Sequence, residues 1–236
     1  MTPIPLILLH HSGGTARVFD PLLKSLPPEI EPVPLELPGR GGRWREPPLT
    51  SAAHAVDDLL DQAAGLRGEI AVLGHSMGAY LGLALAARLE NGGHARCRTL
   101  FASANAGPFA ARPLFATSPS ALGDDEILAA AEGFGGMAPE VLAHPGLRER
   151  AVSLLRADFG VCDSFVRALS GTVTEARIVV CCGDRDDYTH EQLTAWKSSS
   201  TEETEILRFP GGHFYLQTRA DELAAAVTAR VLDPVS

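Results

Sequence analysis

The stretch "AVLGHSMGAYLG", residues 71–82, runs from apolar residues of strand character, through a serine set between glycines, into alanine- and leucine-rich sequence of helical character. Its centre, Gly74-His75-Ser76-Met77-Gly78, is an instance of G-x-S-x-G, a pattern that needs a strand before it and a helix after it. A sharp strand-to-helix turn forces Ser76 into strained dihedrals. Side chains two residues to either side would collide with neighbouring backbone, so Gly74 and Gly78 make room. The start of the following helix brings backbone N–H groups near the serine, where they can stabilise an oxyanion. Alone, the pentapeptide fits an inert glycine-rich turn as well as a nucleophile. The rest of the chain has to decide.

Outward from this turn, apolar runs of strand length alternate with longer segments of helical period. That alternation marks an α/β fold, a mostly parallel sheet covered by helices on both faces. Strands are expected at 6–9, 33–37, 70–73, 99–102, 178–182 and 205–209, and helices at 16–26, 52–64, 77–90, 191–198 and 220–232. From about residue 107 to 173 the alternation stops. That region offers no convincing strand but three helices: 124–132 behind acidic residues, a short one after Pro139, and 147–167. In the last, Leu147, Ala151, Leu154, Leu155, Phe159, Cys162 and Val166 recur at spacings of three and four. The expectation is one domain over residues 1–236 with a helical lid inserted at about 107–173, and "GFGGMAP", residues 133–139, as its flexible joint.

A serine needs a base and a group that orients it, in the chain order Ser, then Asp or Glu, then His. After the strand at 178–182 comes "GDRDDYT", and after the strand ending at Phe209 comes "PGGHFYL". His213 lies beyond a late strand, behind a Pro-Gly-Gly turn that can carry its ring over the sheet edge. Asp184, Asp186 and Asp187 are all available as the acid. Asp186 is favoured, because three residues after Gly183 let the chain turn off the strand first; it would hold the imidazole in one tautomer. His75 is expected to point away from the nucleophile across the turn. His10 and His11, after the first strand, could line the site, with structural or solvated roles the simpler reading. In "HHSGGTARVF" small residues allow close backbone approach, so the N–H groups of Ser12 and Met77 are the expected oxyanion donors. A phosphate loop is excluded there, because the G-K-[ST] element is absent.

Composition narrows the function. The 236 residues carry a formal charge of −9 with no block of Lys or Arg, which argues against nucleic acid as a partner. The four cysteines, Cys97, Cys162, Cys181 and Cys182, have neither metal-ligand spacing nor the density of a disulfide-stapled domain, so a reduced cytoplasmic setting fits. "PIPLILL" is too short to span a bilayer and lacks the basic segment of a signal peptide.

"LLHHSGGTARVF", "ELPGRGGRWREPPLTS", "LGHSMGAYLG", "RADFGVCDSF", "CCGDRDD" and "FPGGHFYL" occur in the order seen in type II thioesterases of polyketide and nonribosomal peptide assembly lines, and the chain resembles that family along nearly its whole length. The most specific element is "LPGRGGRWREPP", residues 37–48. The resemblance implies an α/β-hydrolase fold with a helical lid and a triad of Ser76, Asp186 and His213. It also implies the substrate, an acyl thioester on the phosphopantetheine arm of an acyl or peptidyl carrier protein, and no metal or organic cofactor. One departure stands in the first loop. The family usually has a proline and an aromatic residue before alanine-glycine-glycine, where this chain has His10-His11-Ser12-Gly13-Gly14. Arg40, Arg43 and Arg45 are candidates to meet the phosphate or an acidic carrier surface, or else to be structural arginines of the loop. Rival readings are an esterase or lipase on free small molecules and a catalytically silent binding protein on the same scaffold.

Overall fold

A computed structural model describes residues 2–92, 95–135 and 139–233. Six runs rich in apolar residues pair as one sheet: β1 (Ile4–Leu9), β2 (Ile30–Leu35), β3 (Gly68–His75), β4 (Ala95–Ser103), β5 (Arg177–Gly183) and β6 (Thr204–Phe209). Their order is β2-β1-β3-β4-β5-β6, and every described pairing is parallel. Central strands of such a sheet are covered on both faces, hence their unbroken apolar runs: Leu6, Ile7 and Leu8 in β1 and Ile178, Val179 and Val180 in β5 are all inaccessible to solvent. β2 begins and ends earlier than the 33–37 expected. Its sequence IEPVPL holds two prolines, which an edge strand tolerates because only one side must donate to a neighbour.

Helices cover both faces. On one, α2 (Ala52–Ala63) and α3 (Met77–Gly92) pack against β1, β3 and β4 in a core that includes Leu59, Leu83, Leu85 and Trp196. On the other lie α1 (Asp20–Leu23), α8 (Tyr215–Thr218) and α9 (Ala220–Val231), burying Leu22, Tyr215 and Leu223. Two expected helices are shorter and tighter than the sequence implied. Residues 16–26 form a 3₁₀ turn, Ala16–Phe19, then α1, which Pro21 starts and which stops short of Pro27-Pro28. Residues 191–198 divide into α7 (His190–Thr194), opened by a Thr189–Gln192 capping box, and a 3₁₀ turn, Ala195–Ser199.

Between β4 and β5 stand α4 (Asp124–Gly133), α5 (Pro139–Ala143) and α6 (Pro145–Ala168), close to the helices expected at 124–132, after Pro139 and at 147–167. Residues 136–138 of the expected joint lie outside the described residues. The insertion has its own small core, in which Ile127, Leu128 and Ala131 of α4 meet Val152, Leu155 and Phe159 of α6. The far end of α6 belongs to the main body instead: Phe165 stacks on Tyr80 of α3, ring centroids 4.6 Å apart. The strand order reverses between β1 and β3, and the crevice beyond their carboxyl ends is where open α/β sheets take ligands. The loop after β1 and the turn after β3 flank it.

Candidate active site

Ser76 occupies the β3–α3 turn with φ of 55°, a left-handed conformation that costs a non-glycine residue about 1–3 kcal/mol. A Cβ at Gly74 would overlap the Gly78 carbonyl, and one at Gly78 would overlap the Leu9 carbonyl, so both glycines are steric requirements of the turn. The Ser76 N–H donates to the Ser103 carbonyl at 2.8 Å, and Asn105 Nδ2 donates to the Ser76 carbonyl at 3.0 Å. Met77 opens α3; its side chain is buried, and its N–H belongs to the first turn, which lacks intrahelical acceptors.

His213 follows β6, and its Nδ1–H donates to Asp186 Oδ2 at 3.1 Å, with both side chains nearly covered (5% and 7% exposed). That bond leaves the Nε2 lone pair able to accept a proton. Of the three aspartates left open by the sequence, Asp186 alone contacts the ring among the described residues. Asp184 accepts the Gly211 N–H at 2.8 Å and so braces the loop that carries His213, while Asp187 is exposed. His75 faces the interior: its Nδ1 meets Ser103 Oγ at 2.8 Å, which in turn meets the Tyr215 hydroxyl at 2.8 Å. Burial, then the neighbouring His213 and His11, push its pKa well below that of a free imidazole, so it stays neutral.

In the loop after β1, His10 is structural and His11 is both structural and cavity-lining. The His10 Nε2 accepts the Leu37 N–H at 3.5 Å, and its Nδ1–H donates to the His11 carbonyl at 2.9 Å. Burial, reinforced by Arg40, pushes its pKa down to about 3. The His11 Nδ1–H donates to the Ser12 carbonyl at 2.9 Å.

Ser12, Ser76, Asp186 and His213 line one cavity of about 850 Å³. The insertion supplies much of its wall through Ala131, Leu155, Phe159, Cys162 and Val166, and Phe134, just after α4, lies with its ring 4.9 Å from that of His213. Burial pushes the Cys162 thiol up to about 12, so it remains protonated and is a poor nucleophile beside Ser76. All four cysteines are free, and among the described residues no group of three His, Cys, Asp or Glu side chains is placed to hold a metal.

Two of the three loop arginines are structural. Arg40 is buried and grips Asp158 of α6 through two bonds, 2.8 and 2.7 Å. Arg43 pairs with Glu46 and Asp58, its closest contacts 2.6 and 2.7 Å. Only Arg45, lying over the exposed Trp44 ring at 4.4 Å, faces solvent without an acidic partner among the described residues. Sequence reasoning gave no role to Asn105 or Asp158. Asp158 carried a readable signal, a carboxylate within the apolar stripe between Leu155 and Phe159.

One cavity thus gathers a serine on a strained turn, a histidine bonded to a carboxylate, and the first-loop serine, the kinds of group that serine-based acyl transfer uses.

A family model described as a thioesterase domain matches residues 4–231. The chain is 31% identical over 237 residues to a probable cadicidin biosynthesis thioesterase of Streptomyces griseus, an alignment covering 98% of this chain and 63% of that protein's length. ClbQ from the colibactin NRPS/PKS pathway superposes with a TM-score of 0.87 at 26% identity, over 98% of this chain and 97% of that one. BorB, the type II thioesterase from the borrelidin biosynthetic cluster, superposes with a TM-score of 0.84 at 28% identity, over 98% and 93% of the two chains.

Proposed function

Because the chain belongs to the thioesterase family, we propose that it is a serine thioesterase that hydrolyses acyl groups from the phosphopantetheine arm of acyl or peptidyl carrier proteins, clearing stalled or aberrant chains in polyketide or nonribosomal peptide biosynthesis. Relatives with a thioesterase or a biosynthetic pathway in their names support the class of substrate. The observation that carries the reading is the convergence of Ser76 and the Asp186–His213 pair in one cavity.

His213 Nε2 takes the Ser76 proton as Oγ attacks the thioester carbonyl, and Asp186 stabilises the imidazolium. The oxyanion is received by the N–H groups of Ser12 and Met77. The imidazolium then protonates the departing pantetheine sulfur. In the second half, His213 takes a proton from water, the resulting hydroxide attacks the acyl-serine ester, and the free acid leaves as the proton returns to Ser76 Oγ. No step needs a metal or an organic cofactor.

The helices between β4 and β5 act as the lid of a single domain in this reading, and the acyl chain lies along their apolar wall. Arg45 is the remaining loop arginine for an acidic carrier surface. No helix among the described residues is long and apolar enough to cross a membrane. The four free cysteines support a reducing, cytoplasmic setting.

The test compares kcat/KM for a propionyl carrier protein with that for the matched p-nitrophenyl ester. Preference for the carrier is expected. Preference for the ester would indicate an esterase on free small molecules, and inertness toward both a silent scaffold.

A further inference from the structure

We propose that Asp158, held by Arg40, is the positioning residue of the oxyanion loop and couples the donor at Ser12 to the lid helix α6. This rests on the reading of Ser76 as nucleophile and of the Ser12 N–H as oxyanion donor.

Two consecutive peptides make up the loop. The carbonyl of the His11–Ser12 peptide accepts the His10 Nδ1–H at 2.9 Å and the Gly14 N–H at 3.0 Å. In a planar trans peptide the N–H points opposite to the carbonyl, so fixing the His11 oxygen fixes the direction of the Ser12 N–H. The Ser12–Gly13 peptide is pinned at both edges. Its carbonyl accepts the His11 Nδ1–H at 2.9 Å, and its N–H donates to Asp158 Oδ2 at 2.7 Å, from a helix 145 residues further along the chain.

Both oxygens of the carboxylate are engaged. Oδ2 also accepts Arg40 Nη1–H, Oδ1 accepts Arg40 Nη2–H, and Arg40 Nη1 reaches the Gly14 carbonyl at 3.3 Å. Arg40 and Asp158 are 1% and 0% exposed. Stability is a weak reason for such a pair, since apolar residues of similar volume commonly serve a fold equally well. An apolar pair cannot accept the Gly13 N–H. Asp158 stands between Leu155 and Phe159, which line the cavity, so one turn of α6 shapes the acyl wall and anchors the oxyanion loop together.

Two double variants separate positioning from packing: Arg40→Met/Asp158→Leu, which removes the acceptor, and Arg40→Gln/Asp158→Asn, which keeps an amide oxygen for Gly13. Rates are measured with the propionyl thioester of N-acetylcysteamine, per site titrated by a fluorophosphonate, so a partly unfolded sample still reports. The apolar pair is expected to lower kcat about 10–100-fold, with KM changed less than about 3-fold, because small misplacement of a reacting geometry costs on this order. Affinity for an alkyl trifluoromethyl ketone, which forms a tetrahedral adduct at Ser76, should fall in parallel. The polar pair should stay within about 5-fold of the wild type in kcat. Wild-type kcat and ketone affinity in the apolar pair, or equal losses in both pairs, would overturn the proposal. Should the apolar pair not fold at all, Arg40→Gln/Asp158→Ala decides, because it removes the acceptor for the Gly13 N–H without leaving a buried cation unpaired: a loss of about 10-fold or more in kcat at constant KM is expected, and an unchanged kcat refutes the proposal. A wild-type protein that takes no fluorophosphonate would instead refute Ser76 as nucleophile, a failure distinct from that of the clamp.

Discussion

Two loops flank the crevice at the carboxyl ends of β1 and β3, and they are held by different means. The turn bearing Ser76 is shaped locally: Gly74 and Gly78 stand where no Cβ fits, and α3 begins at the next residue after the serine. The loop bearing Ser12 is held by its own histidines and also from a distance, by Asp158 on the inserted helix and by Arg40 in the loop after β2. A local constraint is written in adjacent residues. A remote one is written in residues whose meaning appears only when the chain is folded.

Each prediction presses on that difference. The largest expected effect concerns the third element, the paired loops after β5 and β6. Asp186→Asn should lower kcat by about 10⁴-fold, because the amide no longer favours the productive His213 tautomer. Asp184→Ala, which releases the Gly211 N–H and a loose, exposed contact with Arg185, should cost about 1 kcal/mol of stability and little of the rate. Parallel steady-state kinetics and urea melts on the two variants check this, and similar kcat losses would mean that the acid is misassigned.

Next comes the local turn. Gly78→Ala should lower kcat by about 10²–10³-fold and stability by about 1–3 kcal/mol, because its Cβ overlaps the Leu9 carbonyl and neither backbone can yield. Near-normal kinetics would show that the elbow is not sterically determined.

The smallest effect concerns the first loop and reads out in pH. His10 in the folded chain binds a proton only near pH 3, against about 6.5 when unfolded. Between those values the unfolded chain holds the extra proton. The contribution is therefore complete above about pH 6.5 and is lost as pH falls toward 3, at up to about 1.4 kcal/mol per unit. His10→Asn keeps an N–H for the His11 carbonyl but cannot titrate. It should change kcat less than about 3-fold while flattening the acid limb of the stability curve by about one proton's slope. Denaturant melts from pH 7 to 4 measure this, and an unchanged slope would place His10 outside the set of buried neutral imidazoles.

Legibility followed the same division. The central strands could be read because burial on both faces makes their apolar runs continuous, and the elbow because its glycines are sequence neighbours. β2 was displaced because Pro32 and Pro34 mask an edge strand, and the 16–26 helix was overextended because its apolar period hid the stop before Pro27. The choice of Asp186 over Asp184 rested on turn length, and the structure adds the separate task that Asp184 performs. The sequence leaves Arg40 and Arg43 between a carrier-facing role and a structural one, because their partners, Asp158 and Asp58, lie on other elements. No spacing rule reaches that far.

The central claim is that Ser76 attacks a thioester presented by a carrier protein, and Ser76→Ala tests it most directly. With a propionyl carrier protein as substrate and intact mass spectrometry as readout, the wild type should return the carrier to its free thiol. The variant, folded to the same melting temperature, should leave it acylated, with a rate lower by about 10⁴-fold or more. Deacylation by Ser76→Ala at a rate near that of the wild type would contradict the account.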